Sequence, residues 1–383
     1  MFFKDIIGQQ PVKDKLLGMV ATGKVPHALM LLGPEGNGNL ALALALAQYI
    51  QCEDRQESDS CGKCSSCLKN QKYIHPDVHF TFPVVPKKSG EPPISNDYIT
   101  EWRTALAGNV YMSVNDWLQS IEAENRQGNI TVRECHEIIH GMSMKTYESP
   151  YKIQVIWLAE YLKEAGNTLL KIIEEPPANT FFILVVESIE MILNTIISRT
   201  QLVKVGPIDD GDVKQALLDR FEMGDDAARR IARISDGNFN AAAGYAAGDE
   251  NANDKLLHKW LVCCYNLKHK NSPTNASNLF EWVEEIAKIG RENQKIFLKY
   301  ALFFLHQCSK IALTGSSDKL DGEELKFATG LSSKLQPEQL ETISRIINLL
   351  YYHIERNGNP KVLFVSNSFK VASAFKNEPV IIE

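Results

Sequence analysis

The chain has 383 residues, 44% of them hydrophobic and 23% charged, an ordinary globular composition that excludes collagen-like, coiled-coil and disordered classes. Lys and Arg number 41 against 47 Asp and Glu, so the net charge is −6, and bulk charge will not hold nucleic acid. The length predicts two or three domains at about 150 residues each.

Met1-Phe2-Phe3-Lys4-Asp5 meets charge before an apolar targeting region can form. The longest apolar runs, such as Phe181 to Val186, are strand-sized and fall short of the ~20 residues of a membrane span. A cytoplasmic protein with no membrane partner is expected. Thiols stay reduced there, so clustered cysteines point to metal before disulfides.

In chain order, residues 12–22 carry helical spacing and His27 to Leu32 reads as a buried strand. Glycines at 33, 36 and 38 follow, and Leu40 to Ala47 is a strong helix former. Pro83 to Asp97 reads as a loop or inserted element, and 98–124 is helix-like. Lys152 to Trp157 predicts a strand, 160–174 a helix, and Phe181 to Val186 another strand. Residues 189–197 read as helical, followed by a strand from Gln201 to Val205. Strands alternating with helices argue for an α/β fold with a mainly parallel sheet. Residues 209–246 read as short helices broken at Gly224-Asp225 and Asp236-Gly237, and Gly248 to Asp254 as a linker. The remainder is helical, with breaks near Asn271 to Thr274 and Thr314 to Ser317.

Cys52, Cys61, Cys64 and Cys67 have the spacing C-x8-C-x2-C-x2-C. Four thiolates can surround one Zn²⁺, and each x2 pair offers two sulfurs from one tight turn. A site closed by four ligands is structural, so folding and metal binding would be coupled. Cys135, Cys263, Cys264 and Cys308 sit in apolar helical contexts and read as core.

Gly33-Pro34-Glu35-Gly36-Asn37-Gly38-Asn39-Leu40 occupies the position of a phosphate loop, G-x4-G-K-[ST], between a strand and a helix. Asn39 stands where Lys would neutralise phosphate, and Leu40 where a hydroxyl would hold Mg²⁺. The strand that would end in acidic residues ends Ile156-Trp157-Leu158, with Glu160 in the following helix. The loop is therefore expected to be degenerate, with ATP unbound. Asn167 to Glu175, stopped by Pro176-Pro177, reads as a solvated helix end, and Arg199 as a surface arginine at an element boundary.

Five segments occur in the order seen in bacterial clamp-loader AAA+ subunits, and the chain resembles that family over nearly its whole length. They are Phe3-Lys4-Asp5-Ile6-Ile7-Gly8-Gln9, Val25-Pro26-His27-Ala28-Leu29, the cysteine module, Leu169 to Pro177, and Ser198-Arg199. Glu355 to Lys361 is similar to part of the family's C-terminal collar, and residues 80–130 are the least matched. The resemblance implies an α/β AAA+ domain over 1–206 with a zinc module at 52–67, a helical lid over 207–248, and an all-α collar over 249–383.

Within the family, the motor (gamma/tau) subunits carry an intact loop, an acidic strand end and a nucleotide-sensing arginine where this chain has Asn240. Their absence implies a non-hydrolysing subunit that assembles with motor and delta subunits to load the sliding clamp onto primed DNA. The Ser-Arg-Cys motif of the family supplies an arginine finger to a neighbouring ATP site. Ser198 and Arg199 match it, with Thr200 in place of Cys, and the role carries over to Arg199. Two alternatives are an ATPase with a divergent but active loop, and a nucleic-acid binder built on the zinc module. Arg55 and Lys63 against Glu53, Asp54, Glu57 and Asp59 make that module locally acidic, which argues against the second.

Overall fold

The computed structural model describes every residue except 88–90, 124–125, 248–249, 270–272, 318, 321, 357 and 382–383. The chain divides into two compact units, Met1–Ala216 with Asp236–Asn240, and Leu217–Ser235 with Ala241–Glu383. The stretch 207–248 contributes residues to both.

The first unit holds a sheet of β1 (Ala28–Leu32), β2 (Val78–Thr81), β3 (Lys152–Trp157), β4 (Thr180–Val186) and β5 (Gln201–Lys204). The order is β2-β3-β4-β1-β5 and every pairing is parallel. Its helices are α1 (Gln10–Ala21), α2 (Asn39–Gln51), α3 (Ser65–Gln71), α4 (Ile99–Gly108), α5 (Val114–Ser120), α6 (Val132–Ser143), α7 (Leu170–Glu174) and α8 (Asn194–Ile197).

Strand side chains alternate between faces, and here both faces are covered. Leu29, Leu31, Ile153, Val155, Ile183 and Val185 enter one core with α2. Met30, Ile156, Phe182, Leu184 and Val186 enter another with Cys135 and Ile138 of α6 and Ile173 of α7. Two buried faces explain why β1 and β4, in the middle of the sheet, read as nearly unbroken apolar runs. α2 is buried all round, as its Leu-Ala repeat requires. This is the α/β arrangement with a parallel sheet that the alternation of strands and helices implied.

Several elements differ from the sequence expectation. Residues 160–174 are not one α-helix: a 3₁₀ stretch, Ala159–Leu169, precedes α7 and breaks at Lys163, whose φ is 46°. The segment 189–197 is a 3₁₀ turn, Ile189–Met191, and then α8. β2 is an edge strand of four residues that the apolar pattern does not announce. In the Pro-rich segment, residues 88–90 lie outside the described residues, and Ser95–Tyr98 forms a 3₁₀ turn ahead of α4. An aromatic cluster anchors this part: Phe82 stacks on Trp102 at 4.1 Å, and Trp117 Nε1 donates to the Pro83 carbonyl at 2.7 Å.

Beyond the sheet run α9 (Asp210–Arg220), α10 (Asp225–Ser235), α11 (Phe239–Ala247), α12 (Glu250–His269), α13 (Pro273–Lys288), α14 (Arg291–Thr314), α15 (Gly322–Ser332), α16 (Pro337–Glu355) and α17 (Pro360–Phe375). The expected linker is corrected: residues 248–249 lie outside the described residues, and Glu250 to Asp254 begin α12. Acidic residues suit a helix start as well as a linker, so composition does not separate the two. Of the expected break near Asn271, residues 271–272 also lie outside, and Pro273 opens α13 at a position that tolerates proline. Residue 357, inside the collar-like segment, is undescribed as well.

In the second unit Trp260 and Trp282 stack 5.3 Å apart, and Trp282 and Phe364 meet edge-on at 5.5 Å. Both indole N–H groups are satisfied, by Ser368 Oγ at 2.8 Å and by the Leu256 carbonyl at 2.9 Å. Asn293–Thr314 is, against the sequence expectation, long and apolar enough by composition to cross a membrane. Its Phe297, Leu298, Phe304, Leu305 and Cys308 are buried in this core, the setting of a core helix. Cys263 and Cys264 lie in the same core and Cys135 beneath the sheet, all buried; burial pushes the Cys135 and Cys308 thiols up to about 12.

Candidate functional site

The four module cysteines converge, with their sulfurs all within 4.8 Å of one another. Cys52 ends α2, Cys61 follows the intervening loop, and Cys64 caps α3. Gly62 turns the chain between them with φ +72°, and a Cβ there would lie 2.8 Å from the Phe2 ring.

Backbone N–H groups point at the sulfurs. Cys52 Sγ accepts from Cys61 N at 3.3 Å, Cys61 Sγ from Cys64 N at 3.4 Å, and Cys64 Sγ from Cys67 N at 3.4 Å. Such donors favour thiolates over thiols. The N–H groups of Lys63 and Cys64 bring the Cys61 thiol down to about 7. Burial pushes the Cys52 and Cys67 thiols up. Tetrahedral ligation at about 2.3 Å places sulfurs about 3.8 Å apart, and Cys61 Sγ lies 3.9 Å from Cys67 Sγ. The residues fit a bound metal ion, and the four cysteines could hold one. His136-Glu137-Ile138-Ile139-His140 on α6 has the H-E-x-x-H spacing of helical zinc sites. There both imidazoles are exposed, and no third ligating side chain joins them among the described residues.

Gly33, Gly36, Gly38 and Asn39 lie together between the C-terminal end of β1 and the start of α2. The turn is tied to its own backbone. Asn39 Nδ2 donates to the Gly33 carbonyl at 2.6 Å, while its buried Oδ1 has no partner among the described residues. Asn37 Nδ2 donates to the Val205 carbonyl at 2.9 Å, and Asn37 Oδ1 accepts from Asn39 N at 3.2 Å. A Cβ on Gly33 would stand 2.1 Å from the Val205 carbonyl oxygen, so the crowding itself demands glycine.

The charges beside the turn are acidic. Glu187 directly follows β4, whose Val186 carbonyl accepts the Gly33 N–H at 3.1 Å. Burial first, then the charges of Glu35 and Glu160, hold the Glu187 carboxyl up at about 8. Burial likewise raises Glu160, whose Oε1 accepts the Glu187 N–H at 3.0 Å. Glu160 thus lies in the 3₁₀ stretch after β3 and caps the end of β4. Trp157 and Leu158, at the strand end, are buried. Asn37 as internal tie and the three carboxylates were not legible in the sequence, because each depends on contacts between distant segments.

Ser198 and Arg199 stand between α8 and β5. Arg199 Nε donates to Glu174 Oε2 at 2.7 Å and its Nη1 to the Thr195 carbonyl at 3.0 Å; Ser198 Oγ donates to the same carbonyl at 3.2 Å. The Glu174 end of α7, read as merely solvated, is therefore joined to Arg199. Pairing of Leu29 with Gln201 and of Leu32 with Lys204 puts Arg199 level with residue 27. The glycine turn leaves the opposite end of the same parallel strands. The five residues of β1 lie between the two levels, at least about 16 Å of strand, so Arg199 is out of reach of the chain's own loop.

A parallel five-stranded sheet with a glycine-rich turn after β1, an interior strand, followed by helical segments, is an α/β nucleotide-binding type of arrangement whose turn has lost its lysine. Residues 8–209 match the family described as DNA polymerase III, delta subunit, more than half the chain, and the chain belongs to that family. It is 27% identical over 243 residues to DNA polymerase III subunit delta' of Escherichia coli, covering 63% of this chain and 60% of that one. Subunit delta' of Yersinia pestis is 31% identical over 188 residues, covering 48% and 43%, and subunit gamma of Buchnera aphidicola 25% over 210 residues, covering 55% and 46%. The chain spans less than two thirds of the length of each of these relatives.

Proposed function

We propose that this chain is the non-hydrolysing subunit of a bacterial clamp loader, similar to delta', which joins motor (gamma/tau) and delta subunits to load the sliding clamp onto primed DNA. The observation that carries the reading is the glycine turn. Its Asn39 is spent on the Gly33 carbonyl, and the groups beside the turn are carboxyls with no cation among them, Glu187 holding its proton up to about pH 8 because burial and the charges of Glu35 and Glu160 oppose its ionisation. A triphosphate needs a cation and a metal ligand at that place, and Asn39 and Leu40 supply neither.

Arg199 acts as an arginine finger in trans, positioned beside Ser198, stabilising charge on the phosphoryl group transferred in a neighbouring motor subunit. Its pairing with Glu174 suits that role. An ion pair this exposed contributes about 0–1 kcal/mol, so the guanidinium is readily released to a phosphate. Cys52, Cys61, Cys64 and Cys67 hold a structural Zn²⁺ that stiffens the segment after α2. Residues 1–206 form the AAA+ domain, 207–248 the lid and 249–383 the oligomerising collar. The setting is cytoplasmic, and DNA is contacted through the assembly.

The test is the ATPase of the reconstituted complex with clamp and primed DNA. Arg199→Ala should leave assembly intact and cut turnover at least ~10-fold, given that fingers in GTPases contribute about 10³–10⁵. Full turnover with Arg199→Ala would remove the finger assignment.

A further inference from the structure

Residues 109–116, the connection from α4 to α5 with the first turn of α5, in the part of the chain least matched to the family, lie against the glycine turn. The Tyr111 ring fills the space beside Gly38: a Cβ on that residue would stand 3.2 Å from Tyr111 Cε1. The Tyr111 hydroxyl oxygen accepts the Ile7 N–H at 2.9 Å. Its other flank meets Phe239 edge-on, with ring centroids 5.2 Å apart.

Around this ring runs a chain of amide and carboxylate contacts. Asn109 Oδ1 accepts the Tyr111 N–H at 2.9 Å, and Asn109 Nδ2 donates to Asn240 Oδ1 at 2.7 Å. Asn240 Nδ2 in turn donates to Asp116 Oδ2 at 2.6 Å, an oxygen that also accepts from Ser113 N at 2.8 Å. A hydrogen bond to a carboxylate is roughly twice as strong as a neutral one. The next residues close the other side of the turn: Phe239 N donates to the Gly36 carbonyl at 2.9 Å, and Asn238 fills the space of a Gly36 Cβ.

We propose that residues 109–116 are a built-in latch: Tyr111 covers the mouth of the glycine turn while Asn109 and Asp116 fasten Asn240, so that residues 236–240 are held on the first unit without any ligand. The arrangement is specific because donors and acceptors alternate along it toward Asp116. Asn109 donates, Asn240 both accepts and donates, and Asp116 accepts. A sequence reading sees only an inserted stretch and a lost arginine position at 240.

Native-state hydrogen exchange on the full chain tests the latch without involving nucleotide, so its failure is separable from failure of the functional proposal. Asn240→Asp sets a carboxylate against Asp116 and should speed exchange of the Phe239 amide at least tenfold, with the β4 amides unchanged. Adding Asp116→Asn exchanges donor and acceptor between the two positions and should return the Phe239 amide to within about threefold of its original rate. An Asn240→Asp chain with the original Phe239 rate, or no recovery in the pair, overturns the proposal. If Asn240→Asp loosens the whole sheet, Tyr111→Phe decides. It keeps the ring and removes the acceptor, so the Ile7 amide alone should lose protection; unchanged protection there counts against the latch.

Discussion

The cysteine module and the glycine turn lie at opposite ends of α2, and they differ in where their polar groups point. At the module, four side chains from separate positions converge on one centre, and the backbone N–H groups nearby turn toward the sulfurs. At the turn, the side chains that a ligand would need bond back to the chain's own carbonyls. A site kept for a ligand leaves its donors unsatisfied by protein, because burying them unpaired costs free energy that the ligand returns. At the turn the amide donors of Asn37 and Asn39 are satisfied by the chain itself, and only an acceptor, Asn39 Oδ1, is left over, which offers nothing to an anion. The contrast bears on the proposed loss of nucleotide binding independently of motif matching, since it rests on where the polar groups point.

The largest effect should come from the module. Cys64→Ser removes a candidate ligand while leaving a hydroxyl that can still cap α3, and should lower metal content well below one equivalent per chain. Stability should fall by several kcal/mol, because zinc-finger peptides draw about 10–16 kcal/mol from their metal. Elemental analysis and a thermal melt with and without chelator check it. A melt that ignores both chelator and substitution would break the contrast.

A smaller effect belongs to the turn. The Glu187 carboxyl stands near 8 against an ordinary 4.5, so the folded chain keeps a proton that the unfolded chain has lost between those values. Stability on that account falls as pH rises from 4.5 to about 8 and levels off above. Glu187→Gln should therefore raise the melting temperature at pH 8, by roughly 2–4 °C for each kcal/mol recovered, and leave it unchanged at pH 4. An equal rise at both pH values would place the effect in packing.

What the sequence made legible follows the range of the interactions involved. The β1–turn–α2 unit and the C-x8-C-x2-C-x2-C module are local patterns, and both stand where spacing put them. β2 escaped because Val78-His79-Phe80-Thr81 is short and carries polar side chains on an edge. The break at Lys163 escaped because hydrophobic periodicity does not report a positive φ. The latch rests on contacts across more than a hundred residues, such as Ile7 with Tyr111 and Asn109 with Asn240, which no local pattern encodes. Arg199 was placed by resemblance, and the geometry adds its pairing with Glu174 and its distance from the chain's own loop.

The central claim is that the glycine turn has closed on itself and takes no nucleotide. Calorimetric titration of the isolated full chain with Mg-ATP is its most direct test. The account predicts no saturable heat up to about 1 mM, the concentration at which an interaction of about −4 kcal/mol is half-saturated. Saturable binding with a Kd of about 10 μM or tighter would contradict it.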